Sequence, residues 1–368
     1  MSYAQTAEEQ LQESINSQLE KLDLSAIENY ISSLPNIGDG LYKGSFLENI
    51  KEIINGSKQL DFNSFFSYII NLIFDDLLKY VPIFSVIVAI CIVCSLLTGF
   101  SPDKNGEKIN KVIYFACFAV VAIIIFSVFK DLLSLALGIL DGIKNQMQLV
   151  FPILLTLITS VGSVVTVSTF KPAVALLSSS IVSIISSVVL PIFLFTFVFN
   201  IVGHMSDTVK LEKCSKFLAS LFKWIIGTVF TVFMTILSLQ GIIASVTDNI
   251  SIKTTKFALK SYIPVIGNFV SDGLGFILAS GVLIKNAVGL TGLLVLFGTI
   301  IVPLVEIVLF MLGLKLVAAV VEPLGETNMS NFIFSCSKCL NMLIACVVAI
   351  GFMYVISVGL LMCTSNIF

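Results

Sequence analysis

Apolar and polar positions divide the chain in two. Through the first 60 or so residues, apolar side chains recur at helical spacing among polar ones. Leu11, Ile15, Gln18, Leu19 and Leu22 form one such stripe. Ser25-Ala-Ile-Glu28 reads as a capping box opening a helix that must stop near Pro35. Ser45-Phe-Leu-Glu48 is a second box, with Gly56 as the C-terminal stop. Asp61 or Asn63 then caps a strongly apolar stretch over 65–78. Its face of Phe62, Phe65, Phe66, Ile69, Ile70, Ile73 and Leu77 suits a membrane interface. The pattern predicts a small, soluble, helical N-terminal region over residues 1–80. Residues 1–15 lack a basic start and an apolar core, so no signal peptide is expected there.

From Val81 the pattern changes to long apolar runs. A helix needs about 20 apolar residues to cross the hydrocarbon. The segments 81–99, 112–130, 149–170, 173–202, 224–243, 263–284, 287–314 and 341–362 meet that length, giving about eight transmembrane helices. The fourth and seventh contain Pro191 and Pro303 and are expected to be kinked or broken. The fold class is therefore all-α: a polytopic integral membrane protein, with residues 81–368 as the multi-pass membrane domain. Composition agrees. Mean hydropathy is +1.03. Charged residues make up 12% of the chain, against about 25% in soluble domains.

Lysine placement does not orient the chain. Lys104, Lys108 and Lys111 follow the first span, Lys210, Lys213, Lys216 and Lys223 the fourth, and Lys253, Lys256 and Lys260 the fifth. With eight spans these clusters fall on alternating sides and nearly cancel. A repeat would explain the balance. Pro152 and Pro191 are 39 residues apart, as are Pro264 and Pro303. Cys214-Ser-Lys216 follows the first pair and Cys336-Ser-Lys338 the second. Two units, 112–223 and 224–340, each of three spans, would form an inverted repeat. That arrangement predicts that Lys216 and Lys338 lie on opposite sides of the membrane.

The net charge is −2, and every basic residue is lysine. Without arginine or a basic stripe, no nucleic-acid partner is expected. The chain has eight cysteines and one histidine, His204. Cys91-Ile-Val-Cys94 and Cys336-Ser-Lys-Cys339 have redox or metal spacing, but neither has a second pair or a histidine near it in sequence. No metal site, cofactor or disulfide framework is predicted. No enzyme signature is present: no Walker A loop, no His-Glu-x-x-His, no Gly-x-Ser-x-Gly, no dinucleotide fingerprint. A non-enzymatic protein is expected.

Polar residues at membrane depth are costly and attract attention. Asp272, Lys285, Glu306 and Lys315 lie in or beside the last apolar block. They read either as a polar path or ion-pair lock, or as snorkelling lysines and a helix cap. Snorkelling is the expectation for the lysines, while both readings stay open for Glu306. Gly267, Ser271, Gly275 and Ala279 recur every four residues, a spacing that lets helices approach closely. Ser179, Ser183, Ser186 and Ser187 form a similar face. Helix packing or self-association is expected of both faces.

Several ordered motifs resemble a known family. They are Leu239-Gln-Gly-Ile-Ile243 with Gln240 and Gly241, then Lys253-Thr-Thr-Lys-Phe257 with Lys253 and Lys256. Pro264-Val-Ile-Gly267, Ser271-Asp272 and Leu283-Ile-Lys-Asn286 follow, with Gly289 beyond. Lys315-Leu and Glu322-Pro-Leu-Gly325, with Pro323 and Gly325, complete the set. Together they resemble stage III sporulation protein AE. The resemblance implies a role in endospore-forming Firmicutes, as a component of the channel apparatus between mother cell and forespore. It implies residence in the mother-cell membrane around the forespore, with residues 1–80 outside the cytoplasm. The implied partners are membrane lipid, a cytosolic secretion-type ATPase, ring-forming subunits and a forespore-side protein. Family members normally begin with a signal peptide, and Glu306 is not part of the family pattern. Three readings remain open: a membrane core of a channel complex, a secondary transporter or permease, and a poreless membrane scaffold.

Overall fold

The computed structural model describes residues 2–34, 42, 44–58, 62–99, 106–175, 180–205, 211–262 and 266–364. Within these, the side chains of 2–8, 62, 106–108, 173, 212 and 241–275 are not described. All regular structure among the described residues is helical. Three short helices open the chain: α1 (Ser2–Glu20), α2 (Ser25–Ser33) and α3 (Phe46–Ile54). Then come α4 (Phe62–Gly99), α5 (Gly106–Ser160) and α6 (Val164–Ala175). Next are α7 (Val182–Ile184), a π-helical turn at Ile185–Val189 and α8 (Leu190–Met205). The chain closes with α9 (Glu212–Tyr262), α10 (Ile266–Val321) and α11 (Thr327–Cys363).

Local chemistry accounts for the ends of these helices. Ser45 and Glu48 form a reciprocal capping box on α3, with Glu48 N donating to Ser45 Oγ at 3.1 Å. Gly56 follows α3 with φ of +66°, the left-handed stop that glycine favours. The box expected at Ser25 does not form, because Ser25 is already the first helical residue. Leu24 is the N-cap, without a side-chain cap bond, and Asp23 just before it accepts from Ser25 N at 3.1 Å and from Ser25 Oγ at 2.5 Å. Those hydrogen bonds hold the Asp23 carboxyl below its ordinary pKa. At the end of α5, Ser163 N donates to Ile158 O at 3.2 Å around Gly162. This is a left-handed glycine stop that splits the expected span 149–170. The π turn stands directly before Pro191. Proline has no N–H to return to the preceding turn, and the helix widens there rather than breaking.

Among the described residues, six helices are long and apolar enough to cross a membrane: Asn63–Gly99, Ile109–Ser160, Val182–Met205, Lys213–Gln240, Phe276–Leu324 and Thr327–Cys363. The described parts of the eight expected segments therefore lie on these six rods and on the short α6. The gap expected between 130 and 149 does not exist. Leu132, Ala136, Ile139, Leu140 and Ile143 are buried at helical spacing, while Lys130, Asp131 and Asp141 lie on the exposed face. The charges that resembled a loop are the wet side of an amphipathic helix. The gap expected at 285–286 is also helical. At about 1.5 Å per residue, α5 and α10 each reach roughly 80 Å, far beyond a 30 Å hydrocarbon layer. Nor is there a break at 80, since α4 runs through it with Pro82 inside.

The long helices form three antiparallel pairs: α4 with α5, α8 with α9, and α10 with α11. Their connected ends gather at one end of the bundle. Asn110 Nδ2 donates to Thr98 O at 3.2 Å, and Ser95 Oγ donates to Leu324 O at 2.6 Å. Tyr114 Oη reaches His204 O at 3.4 Å, and the Phe118 ring packs on Phe332 at 4.7 Å. We call this the turn end. At the opposite end, α1 and α3 pack on α10, and α2 packs on α5. Ile15, Leu19, Ile27, Phe46 and Ile50 belong to the same hydrophobic core as the long helices. Gln18 Nε2 donates to Ser280 Oγ at 2.7 Å, and Tyr30 Oη donates to Gly142 O at 2.8 Å.

Two predictions follow from this packing. A Cβ added at Gly313 would lie 2.1 Å from the Phe84 ring. Gly313→Ala is expected to cost about 1–3 kcal/mol through overpacking. The cost in a Phe84→Ala background should be clearly smaller. Thermal unfolding of the four solubilised proteins measures both, and additive costs would refute the contact. Burial also pushes the Tyr30 phenol up to about 12. The folded state thus favours the protonated phenol, so its contribution is intact below the unfolded value of about 10. That contribution is lost as pH rises from there through about 12. Tyr30→Phe should cost about 1 kcal/mol at neutral pH and flatten the alkaline loss; an unchanged alkaline profile would exclude Tyr30 as its source.

Candidate functional site

Among the described residues, the candidates read from the sequence do not converge on one place. The side chains of Gly267, Ser271, Asp272 and Gly275 lie outside the described residues, although the helix itself covers them. The side chains of Gly241, Lys253 and Lys256, and all of Pro264, also lie outside them. Ala279 is half-buried, beside Ser280 and Gly281 where α1 and the end of α5 meet α10. Ser183 and Ser187 are exposed and Ser186 is half-buried, while Ser179 lies outside the described residues.

Lys285 does not snorkel. It is fully buried, and its ammonium donates to the backbone carbonyl of Thr364. The lysine thus ties the middle of α10 to the end of α11, satisfying a helix-terminal carbonyl that the helix cannot. One turn on, a Cβ at Gly289 would sit 2.6 Å from Met362, so α10 and α11 approach closely there. Asn286 Oδ1 and Gln240 Oε1 are buried without a partner among the described residues. Lys315 is half-buried. Pro323 lies in the 3-10 turn Glu322–Leu324, and Gly325 ends it with φ of +87°. The Glu322-Pro-Leu-Gly325 motif is thus the tight turn of the α10–α11 pair, held to α4 by Ser95 and by Thr98, which donates to Glu326 Oε1 at 3.2 Å.

Glu306 pairs across to α4. Its carboxylate meets the Lys79 ammonium and accepts from Tyr80 Oη at 2.7 Å. The Tyr80 and Phe310 rings pack at 5.0 Å beside it. The carboxylate is only 16% exposed, and its partners hold it at the helix contact.

One polar feature was not singled out by sequence reasoning. Between the turn-end halves of α8, α9 and α11 lies a cavity of about 820 Å³. Asn200, His204, Lys216, Lys223, Asn331 and Lys338 line it. Asn200 organises the floor: its Nδ2 donates to Cys339 Sγ at 3.0 Å, and its Oδ1 accepts from Ser215 Oγ at 3.2 Å. His204 Nδ1 sits 2.8 Å from Asn200 O. Lys338 lies over the Phe334 ring at 4.4 Å. No carboxylate lines the cavity among the described residues. The signal was present: Asn200 and His204 are one turn apart, Lys216 and Lys223 two turns apart, and Asn331 and Lys338 two turns apart. Lys216 and Lys338 share one cavity, and the segments 214–216 and 336–338 are helical, not loops. The placement on opposite membrane sides required by the inverted repeat is therefore not met. The recurring Cys-Ser-Lys marks two walls of one cavity.

These features define an all-α, multi-pass membrane protein with charged and polar groups held at helix contacts and in one polar cavity. Residues 45–365 match the family model described as stage III sporulation protein AE. The chain belongs to that family. It is 24% identical over 328 residues to stage III sporulation protein AE of Bacillus subtilis (strain 168), covering 89% of this chain and 82% of that protein. No solved structure matches the chain.

The lock gives a graded prediction. Glu306→Ala leaves the buried Tyr80 hydroxyl without its acceptor and should cost about 1–3 kcal/mol. Lys79→Ala removes an ammonium that is 59% exposed and should cost under about 1 kcal/mol. Unfolding of the solubilised variants measures both, and equal costs would show that the tyrosine contact carries no weight.

Proposed function

We propose that this chain is a non-enzymatic membrane component of the channel complex between mother cell and forespore, required for endospore development. The carrying observation is membership of the stage III sporulation protein AE family across nearly all of the apolar helices. In this reading it resides in the mother-cell membrane around the forespore. A cytosolic secretion-type ATPase, ring-forming subunits and a forespore-side protein assemble with it. Exposed apolar residues on α4 and α9, among them Phe74, Leu78, Phe217 and Trp224, supply surface for lipid or for those subunits. Residues 1–80 lie outside the cytoplasm, where α1–α3 brace the ends of α5 and α10 away from the turn end.

A permease is the second reading. The polar cavity among the long apolar helices of a single chain favours it, because such a cavity suits a solute as well as a subunit.

Disruption of the gene in its host should arrest sporulation with late forespore gene expression lost, and tagged chain should co-purify with the ATPase and ring subunits. Purified chain alone in proteoliposomes should pass no solute. Flux by the isolated chain, with sporulation independent of the other subunits, would select the permease. For sidedness, Ser33→Cys in a chain with exposed Cys214 and Cys363 replaced by serine provides a single accessible thiol outside the membrane helices. An impermeant thiol reagent should label it from outside the cytoplasm. Labelling only after the cytoplasm is opened would reverse the assignment.

A further inference from the structure

We propose that the cavity between α8, α9 and α11 is a binding site for a phosphate group, carried by a lipid headgroup or by a small soluble phosphate monoester. The inference stands on the cavity alone and holds for either reading of the whole protein.

Three lysines, Lys216, Lys223 and Lys338, line the cavity, and no carboxylate does so among the described residues. Neither Lys223 nor Lys338 has an acidic partner within ion-pair distance among those residues; Lys338 rests instead on the Phe334 ring. All three lysines are exposed on the cavity surface. Lys223 is eleven residues into α9 and Lys338 eleven residues into α11, so each stands roughly 16 Å from the turn end. Phe332, which packs on Phe118, fixes the level. Lys338 lies six residues further along α11. Ammonium groups gathered along one cavity with no lining carboxylate among the described residues give it a positive potential. An anion held between them is the complementary ligand.

The neutral lining points to phosphate in particular. Asn328, Asn331 and Asn341 add amide donors along the same wall of α11, while Ser215 and Asn200 form the floor. Lysine binds phosphate as a point charge, and the amides supply the directional donors. Phe199, Phe222 and Phe334 give the cavity an apolar flank. The apolar part of a phosphate-bearing molecule can lie there.

The test uses the full chain in nanodiscs. In one arm, chain in pure phosphatidylcholine is titrated with inorganic phosphate and with glycerol 3-phosphate by calorimetry. In the other, chain in mixed phosphatidylcholine and phosphatidylglycerol is examined by native mass spectrometry for retained phosphatidylglycerol. Binding is expected in one arm at least, and which arm identifies the source. K223Q/K338Q should weaken it about tenfold or more, and K223R/K338R should retain it, at unchanged thermal stability. The single variants K223Q and K338Q should each show part of the loss, which keeps the test valid should the double variant fail to fold. No binding in either arm, or binding by the glutamine variants equal to that of the native chain, would overturn the proposal.

Discussion

Close approach of α10 to its neighbours is the constraint on which the rest of the structure depends. This helix touches α1, α3, α4, α5, α9 and α11, and glycines stand at several of those contacts. Gly281 faces Val161, Gly289 faces Met362, Gly292 faces Val150 and Gly313 faces Phe84. In lipid there is no hydrophobic gain from bringing two apolar helices together, so association rests on van der Waals contact and on polar groups shared between helices. A glycine removes the side chain that would hold the backbones apart. The polar links then fall beside these contacts. Gln146 donates to Gly292 O at 2.7 Å, Lys285 donates to Thr364 O, and Glu306 reaches Lys79 and Tyr80.

The same helix explains how a soluble-looking N-terminal region becomes part of one body. α5 and α10 extend past any bilayer, and their far halves carry apolar faces that need cover. Ile15, Leu19, Ile27, Phe46 and Ile50 provide it. Burial of a leucine- or phenylalanine-sized side chain stabilises by about 1.5–3 kcal/mol, so this docking outweighs the few hydrogen bonds that accompany it. Those bonds from Gln18 and Tyr30 fix register rather than supply the bulk of the energy.

Much of this was legible in the sequence. Long apolar runs announced the membrane helices, and Ser45, Glu48 and Gly56 marked the ends of α3 at the right residues. What was misread shares a cause: charge was taken to mean a loop or an interface. Lys130, Asp131 and Asp141 are the exposed face of an unbroken helix, because the intervening leucines and isoleucines keep helical period. Lys285 lies inside because a helix-terminal carbonyl satisfies its ammonium there. Ser25 does not cap because it is itself the first helical residue, and its amide and hydroxyl donate to Asp23. A one-dimensional pattern records where charge is but not which partner waits across the bundle.

The cavity follows the same logic in reverse. Asn200, His204, Lys216, Lys223, Asn331 and Lys338 are scattered over three helices, and each looks like an isolated lapse in an apolar run. Spread around separate helices in lipid, each would carry its own desolvation cost. Gathered on facing walls, they share one polar space between α8, α9 and α11. The pairing of α8 with α9 and of α10 with α11 brings them together, because both pairs turn at the same end of the bundle. Asn200 holds the floor by bonding to Cys339 across one helix contact and Ser215 across another. The same turn at Pro323 and Gly325 that pairs α10 with α11 therefore also fixes one wall of the cavity. Architecture and polar chemistry are set by the same few residues at the turn end.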